Sequence, residues 1–569
     1  MDIRRIILAV VLMAAVLIVT PMLFPTPVPA PGTTAATAVT DSSRTPTDST
    51  FTADRTGITA ARVDSPRVAT QPTIGAAPAS GVDSATMPLD TAVIETAPAV
   101  FRTTNQGAAL IGAEMRNYKA LLKGGRDRGG NVELAQEGDR LLSWRLVVPG
   151  DTIRMDRTLF ASTRSEQNGQ TTVRYTANIA SRAVTISYSF RPDSYLVDVA
   201  AELHGDTRNA FLLVDLPPGF RSSEADSTED RRHLSYAYKP TSRGASGISF
   251  SSLDPGERRI QPGPLTWVVA KNKYFLLGLL APQDAPGFAE LDVAGGVRVS
   301  DVASRAQATA VVPMEKGAIA FELYAGPQEF KRMVALGREF ETSNPYGGWI
   351  QPLVQPFATM VIRLLLWMKA TLGLSYGWIL VIFGIAVRVV LWPLNQRAMR
   401  TSMQMQRIQP ELQAIQQKHK GDPEKLKTEM MRVYKDHNMS PFSSLSGCLP
   451  MLIPLPVFFA LFFVFQNTIE FRGVPFLWFP DISLKDPYYI VPVLVAISAL
   501  VLSWIGMRGV KAGDQQKMMM YMMPAIMLIF FLNMAAGLNL YYLVQNFASL
   551  PQQWLISQER SKAAPVVRG

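Results

Sequence analysis

Apolar residues in this chain follow four successive patterns, and each implies a different kind of element. Residues 6–24 form a long apolar run, within the roughly 17–25 residues that a membrane-crossing helix needs. From 98 to 345 apolar and polar positions alternate: Leu142, Trp144, Leu146 and Val148; Val173, Tyr175, Ala177 and Ile179; Val184, Ile186, Tyr188 and Phe190; Tyr195, Val197, Val199, Ala201 and Leu203. A period of two places one face of each segment on a core, which predicts antiparallel strands, and turn signals such as "PDS", "EQNGQ" and "LPPG" separate them. The expected product is a large β-sandwich. Over 346–370 Gln351, Gln355, Thr359 and Arg363 recur every four residues, a polar stripe on an otherwise apolar helix, which suits a helix lying in the membrane interface. Over 371–557 five long apolar segments follow, at 378–394, 449–467, 489–506, 519–537 and 538–556. The last two have almost no linker, so they form a tight hairpin across the membrane.

Charge then orients these segments. The net charge of +10 gathers beside the apolar runs rather than on an aromatic-rich face, as expected of cytoplasmic membrane loops and not of a nucleic-acid surface. Arg4 and Arg5 put the N-terminus in the cytoplasm, with residues 1–24 as an anchor. A cleaved signal peptide is the competing reading, but Pro31 follows the small residues of "VPA" and the apolar run is long for a signal core. Residues 25–97, rich in Pro, Thr, Ala and Ser, bury too little to offset chain entropy and read as a disordered tether. With six spans, the loop 395–448 falls inside with Arg397, Arg400, Arg407, Lys418, Lys420, Lys425, Lys427, Arg432 and Lys435. The loop 468–488, carrying only Arg472 and Lys485, falls outside, and the basic tail 558–569 falls inside. Reading 353–368 as another span would invert every loop.

The basic loop has its own pattern. Met405, Ile408, Leu412 and Ile415 share a helix face, as do Leu426, Met430 and Val433, with "GDPEK" between them. Asp422 is placed to cap a helix that begins at Pro423, so the segment predicts an antiparallel helical hairpin. Such a basic projection suits acidic lipid, ribosomal RNA or a targeting factor.

Candidate chemistry is sparse. Cys448 is the sole cysteine, which rules out an intrachain disulfide. His204 and His233, the histidines of the β-rich region, show no metal-ligand or triad spacing, and no glycine loop of the nucleotide-binding kind occurs. Neither catalysis nor a cofactor is expected. The five C-terminal spans hold no Asp, Glu or His, which counts against an ion-coupled transporter or channel, the alternative function. What remains is Arg388, about ten residues or roughly 15 Å of helix from Trp378. An arginine at mid-bilayer costs about 2.5–3.5 kcal/mol. Either it occupies a hydrated pocket lined by Gln466, Asn467, Asn533, Tyr541, Tyr542, Gln545 and Asn546, or it snorkels toward the headgroups past Leu394. The methionine run of 517–531 is either ordinary packing or a surface that adapts to many partners.

Several stretches together closely resemble the YidC membrane-protein insertase family: "YGWILVIFGIAVRVVLWPL", "SMQMQRIQPELQAIQQKHKGDPEKLKTEMMRVYKDHNMSPFSSLSGCLPMLIPLPVFFALF", "DPYYIVPVL" and "GLNLYYLVQNFASLPQQWLI". "WVVAKNKYF" and "YAGP" are similar to the periplasmic domain of that family's Gram-negative type. The resemblance implies a multi-pass protein of the bacterial inner membrane with a periplasmic β-domain. It would be an insertase and chaperone for nascent membrane proteins, acting alone or beside the Sec translocon, with a ribosome or targeting factor at the hairpin and tail. It implies a groove open to cytoplasm and lipid, in which Arg388 aligns with the family's arginine; Gln466, Asn533, Tyr541, Tyr542 and Asn546 are the other candidates. It also implies an apolar slide along the third and fifth spans, with candidates Leu452, Phe458, Phe459, Phe462, Met523, Met527 and Phe530. Two departures stand out. Pro454 in "LIPLP" replaces a glutamine common in the family, removing a polar group and a backbone donor, and "NMAAG" replaces the usual lead into the last hairpin.

Overall fold

The alternating segments are strands: Ser143–Val148, Gln170–Ile179, Arg182–Phe190 and Leu196–His204 point Trp144, Val173, Ile186, Tyr188 and Val199 into one core. The computed structural model describes residues 87–563 except 122–127, 206–210, 300–301, 304, 315–316, 345–350, 420–421, 438–454 and 509–513. The N-terminal anchor, most of the tether, Cys448, Leu452 and Pro454 lie outside the described residues.

Among the described residues the strands form two main antiparallel sheets and a small two-stranded one, Arg298–Val299 with Val302–Ala303. The larger has 14 strands and runs from the edge strand Asp151–Arg154, through the central Arg258–Lys271, Phe275–Leu280 and Ala318–Pro327, to the edge strand Ala161–Gln167. Trp144 lies near one end of that order, yet its ring sits 5.9 Å from Phe321, far along the sheet. The sheet therefore folds back over its own core, which is how so many strands avoid a flat, exposed surface. Phe275–Leu280 (FLLGLL) is buried throughout, so its continuous apolar run reflects two covered faces.

The smaller sheet has the order β1 (Thr91–Glu95), β2 (Ala99–Thr104), β3 (Ala109–Leu121) and β4 (Arg128–Glu133). It packs on the larger through Phe101 against Phe190 (5.2 Å) and a buried Thr103–Tyr175 hydroxyl pair at 2.7 Å. β1 falls in the stretch whose composition suggested the tether; it is ordered because Ile94 reaches the core and every residue of the strand pairs with β2.

Helices make up the rest: α1 (Ser227–Arg232), α2 (Phe330–Ala335), α3 (Gln351–Leu372), α4 (Tyr376–Lys418), α5 (Pro423–Asp436), α6 (Leu455–Asn467), α7 (Ile490–Met507), α8 (Asp514–Phe531) and α9 (Ala536–Ala563). The Tyr376–Arg397 part of α4 and all of α7 are long and apolar enough to cross a membrane; α6 and Met520–Phe531 are shorter apolar helices. α9 packs between α4 and α7, and α3 packs on α6. On α3, Val354, Ala358, Val361 and Leu365 are buried, while Phe357, Met360, Leu364 and Trp367 form a second, exposed apolar face beside the polar stripe. α4 continues unbroken past Arg397, so span and hairpin arm are one helix of 43 residues. Its far part packs on α5 through Ile408, Leu412, Val433 and Tyr434, and the Asp422 carboxylate accepts from Lys425 N at 3.1 Å as the N-cap.

The turn between α8 and α9 is held at the β-domain end of the bundle. Ala536 N donates to Leu484 O (2.7 Å) and Gly537 N to Ile482 O (2.9 Å). A Cβ on Gly537 would come within 2.4 Å of the Phe465 ring, so glycine is needed for that approach.

Segment 468–489, between α6 and α7, joins bundle and β-domain. Arg472 Nε lies 2.8 and 3.0 Å from the two Glu224 carboxylate oxygens, and both side chains are buried. Tyr274 OH donates to Ser483 Oγ at 3.1 Å, and Glu470 Oε1 accepts from Phe330 N at 2.9 Å. Burial pushes the Glu470 carboxyl up from 4.5 to about 7, and Glu329 nearby pushes the same way against Lys331. The folded protein thus holds this proton more tightly than the unfolded chain. Its contribution to stability is full below about pH 4.5, falls as pH rises to about 7, and is flat above. At 1.36 kcal/mol per unit the fall is at most roughly 3 kcal/mol. Glu470→Gln is therefore expected to flatten the decline of melting temperature between pH 5 and 8; an unchanged slope would assign the effect elsewhere.

Candidate functional site

Arg388 sits on α4 about three turns from its start, by 3.6 residues per turn. Its Nη2 donates to Gln552 Oε1 at 2.7 Å, and Gln552 Nε2 donates in turn to the carbonyl of Trp392 at 3.2 Å. Gln552 is 1% exposed, whereas Arg388 is only half-buried. Arg388 Nε is buried and, among the described residues, has no hydrogen-bond partner. The guanidinium is therefore held at one edge by a neutral amide, with a second donor unsatisfied. One turn nearer the β-domain, Gln545 Nε2 donates to Gly384 O (2.8 Å) and Tyr541 OH (3.1 Å). Tyr541, Gln545 and Gln552 recur at spacings of four and seven, which lays one polar file along the α9 face that meets α4.

Of the polar residues the sequence groups with Arg388, the structure keeps Tyr541 and Gln545 on the α4 side and separates the others. Tyr541 shares the α4 face with Arg388, its ring 5.8 Å from Phe383, and Tyr542 joins the aromatic cluster on α6. Asn546 turns the other way: its Nδ2 donates to Ser498 Oγ (2.9 Å) and Val495 O (3.3 Å), tying α9 to α7. Gln466 lies in the last turn of α6 and Asn533 in the turn between α8 and α9, and both line a cleft at the β-domain end rather than the Arg388 side. A helical position, not proximity to an apolar run's end, decides which polar side chains can meet. Gln552 was missed; its place seven residues after Gln545 is the signal that would have found it.

Among the described apolar candidates, Phe458, Phe459, Phe462, Met527 and Phe530 converge. Phe458 on α6 contacts Phe459 (5.3 Å), Phe462 (6.2 Å), Tyr542 on α9 (5.5 Å) and Phe530 on α8 (5.9 Å). Met523 and Met527 are half-buried and Phe530 is exposed, so α6 and α8 meet in an aromatic seam with an open side.

Comparison with known proteins finds relatives of both parts of the chain. The family described as 60Kd inner membrane protein matches residues 367–563, and the YidC periplasmic domain matches 92–360. The membrane protein insertase YidC of Chlorobaculum parvum is 31% identical over 418 residues, spanning 68% of this chain and 69% of that protein. That of Chlorobium phaeovibrioides is 33% identical over 417 residues, 69% of this chain and 70% of that protein. Among solved structures, an active YidC insertase with its first transmembrane domain resolved aligns over 83% of this chain and 95% of its own, at 17% identity and a TM-score of 0.33. By its matches over both the β-domain and the helical bundle, this chain belongs to the YidC membrane protein insertase family.

Proposed function

We propose that this chain inserts and helps to fold nascent proteins in the bacterial inner membrane, using Arg388 to attract the polar segment of a client and the α6–α8 seam to guide its apolar helix into lipid. The observation that carries this reading is the guanidinium itself: a cation on an apolar helix, positioned by Gln552 through a neutral amide, with a buried donor that has no partner among the described residues. A charge neutralised by an internal carboxylate would have no field to offer; this one keeps its field for water and a passing polar segment. Release of an apolar span into lipid is favourable by itself, so lowering the barrier for the polar part is sufficient and nucleotide is not required.

In this reading the bundle crosses the membrane five times and the N-terminal run once. Both termini and the α4–α5 hairpin lie in the cytoplasm and the β-domain in the periplasm, as the distribution of Lys and Arg favours. The exposed apolar face of α3 lies on the lipid surface. The hairpin and tail meet a ribosome or targeting factor, and the Sec translocon is a partner for some clients. The test is site-specific photocrosslinking from Phe458 and Met527 to a stalled nascent membrane protein. Adducts to the client's apolar segment are expected, and silence at both positions while the client is inserted would refute the route.

A further inference from the structure

Gln466 and Asn533, which do not join Arg388, open on a cleft of about 1880 Å³ between the bundle and the β-domain. One wall is the end of the bundle, with Phe462, Phe465 and Leu538 around those two amides. These belong to α6 and α9, the same helices that carry Phe458 and Tyr542 in the seam, so the cleft begins where the seam ends. The opposite wall includes Gly129, Gly130 and Asn131 of β4.

Three properties of the cleft select its occupant. Its volume exceeds the roughly 300–1,000 Å³ of small-molecule sites, which leaves room for an extended peptide. Its charged lining has both signs, with Glu114, Asp226 and Glu229 against Arg232 and Lys485, which fits a peptide of mixed composition and not a polyanion. Among the described residues β4 is the last strand of its sheet and pairs with β3 alone, and a Cβ added to Gly130 would meet nothing within 4 Å. An end strand with an open glycine beside a cleft offers backbone groups to an extended chain whatever its sequence.

We propose that this cleft is a receiving vestibule, which holds the extended polar segment of a client as it leaves the bundle by adding it as a strand along β4. The proposal rests on the insertase reading above and names what happens next to the same substrate. Backbone pairing suits this task because clients differ in side chains but share a main chain.

The experiment uses the full-length protein in membrane vesicles with a stalled client whose N-terminal polar segment is translocated. A photocrosslinking residue is placed at Asn131 in the cleft, at Phe458 in the seam, or at Glu166 on the exposed outer strand of the β-domain. Adducts from Phe458 to the client's apolar helix and from Asn131 to its polar segment are expected, with at least several-fold less from Glu166. Yields from Asn131 to successive client positions should alternate with a period of two. Adducts at Phe458 without any at Asn131, equal yields at Asn131 and Glu166, or a period near 3.6 would each overturn the vestibule while leaving insertion intact. Silence at both Phe458 and Asn131 with an inserted client would remove the insertase route and the vestibule together.

Discussion

Arg388→Ala is expected to lower insertion of clients with polar or acidic translocated segments by roughly ten-fold or more, while clients with short apolar ends are affected much less. A hydrogen bond to a charged group is worth about 1.5–3 kcal/mol, and 1.4 kcal/mol is ten-fold, so loss of the attraction between guanidinium and segment has that size. Arg388→Lys keeps the charge but loses the planar fork that reaches Gln552, and should fall between wild type and alanine. The sharper variant is Gln552→Glu. It places a carboxylate where a neutral amide now accepts at 2.7 Å, so it neutralises Arg388 without removing it. If the free field drives capture, Gln552→Glu should match Arg388→Ala in insertion while its thermal stability is at least that of wild type. Normal insertion by Gln552→Glu would show that the arginine acts through shape or packing. The readout is the fraction of client protected from external protease in vesicles, compared across clients of graded segment charge.

Why the sequence revealed some of this and not the rest follows from the range of the interactions involved. Period-two strands and the Asp422-capped helical hairpin were legible because their signals are local: alternation, a cap and a proline lie within a few residues of one another. The apolar candidates on α6 and α8 came from the family resemblance, and Phe458, Phe462 and Phe530 meet in the fold. The partner of Arg388 was not legible. Gln552 lies 164 positions away, and which polar residues face α4 depends on the rotation of α9 about its axis. That rotation is set by contacts such as Asn546 with Ser498 on the far side. The same limit applied to Gln466 and Asn533, whose chemistry resembles that of groove residues but whose axial level is set by where α6 ends and α8 turns. The folding of the larger sheet over itself was equally beyond local signals, because it depends on contacts such as Trp144 with Phe321.

Arg472→Ala is expected to undock the β-domain from the bundle. By sequence Arg472 is one of two cations, with Lys485, in the loop 468–488; in the structure its guanidinium meets both oxygens of Glu224 and donates to the carbonyls of Lys119 (2.9 Å) and Ser223 (3.3 Å). Removing it strands the Glu224 carboxylate in a buried site, a change that costs about 3–5 kcal/mol in comparable pairs. Burial already pushes Glu224 up to about 7 even with Arg472 beside it, so without the arginine the carboxyl would take up a proton at neutral pH or leave the interface. Amide hydrogen exchange should report the change as faster exchange in 468–474 and in 219–225, with the sheet core around Phe275–Leu280 unaltered. Adding Glu224→Gln to Arg472→Ala should recover part of the loss, because it removes the stranded charge, whereas an additive double mutant would mean that the two groups are not coupled. Arg472→Lys should fail to rescue, since one ammonium cannot serve both carboxylate oxygens and two carbonyls in that geometry. Undocking also opens one wall of the cleft at Glu224, so the same variant should lose adducts at Asn131 while keeping those at Phe458, which separates holding the translocated segment from inserting the span.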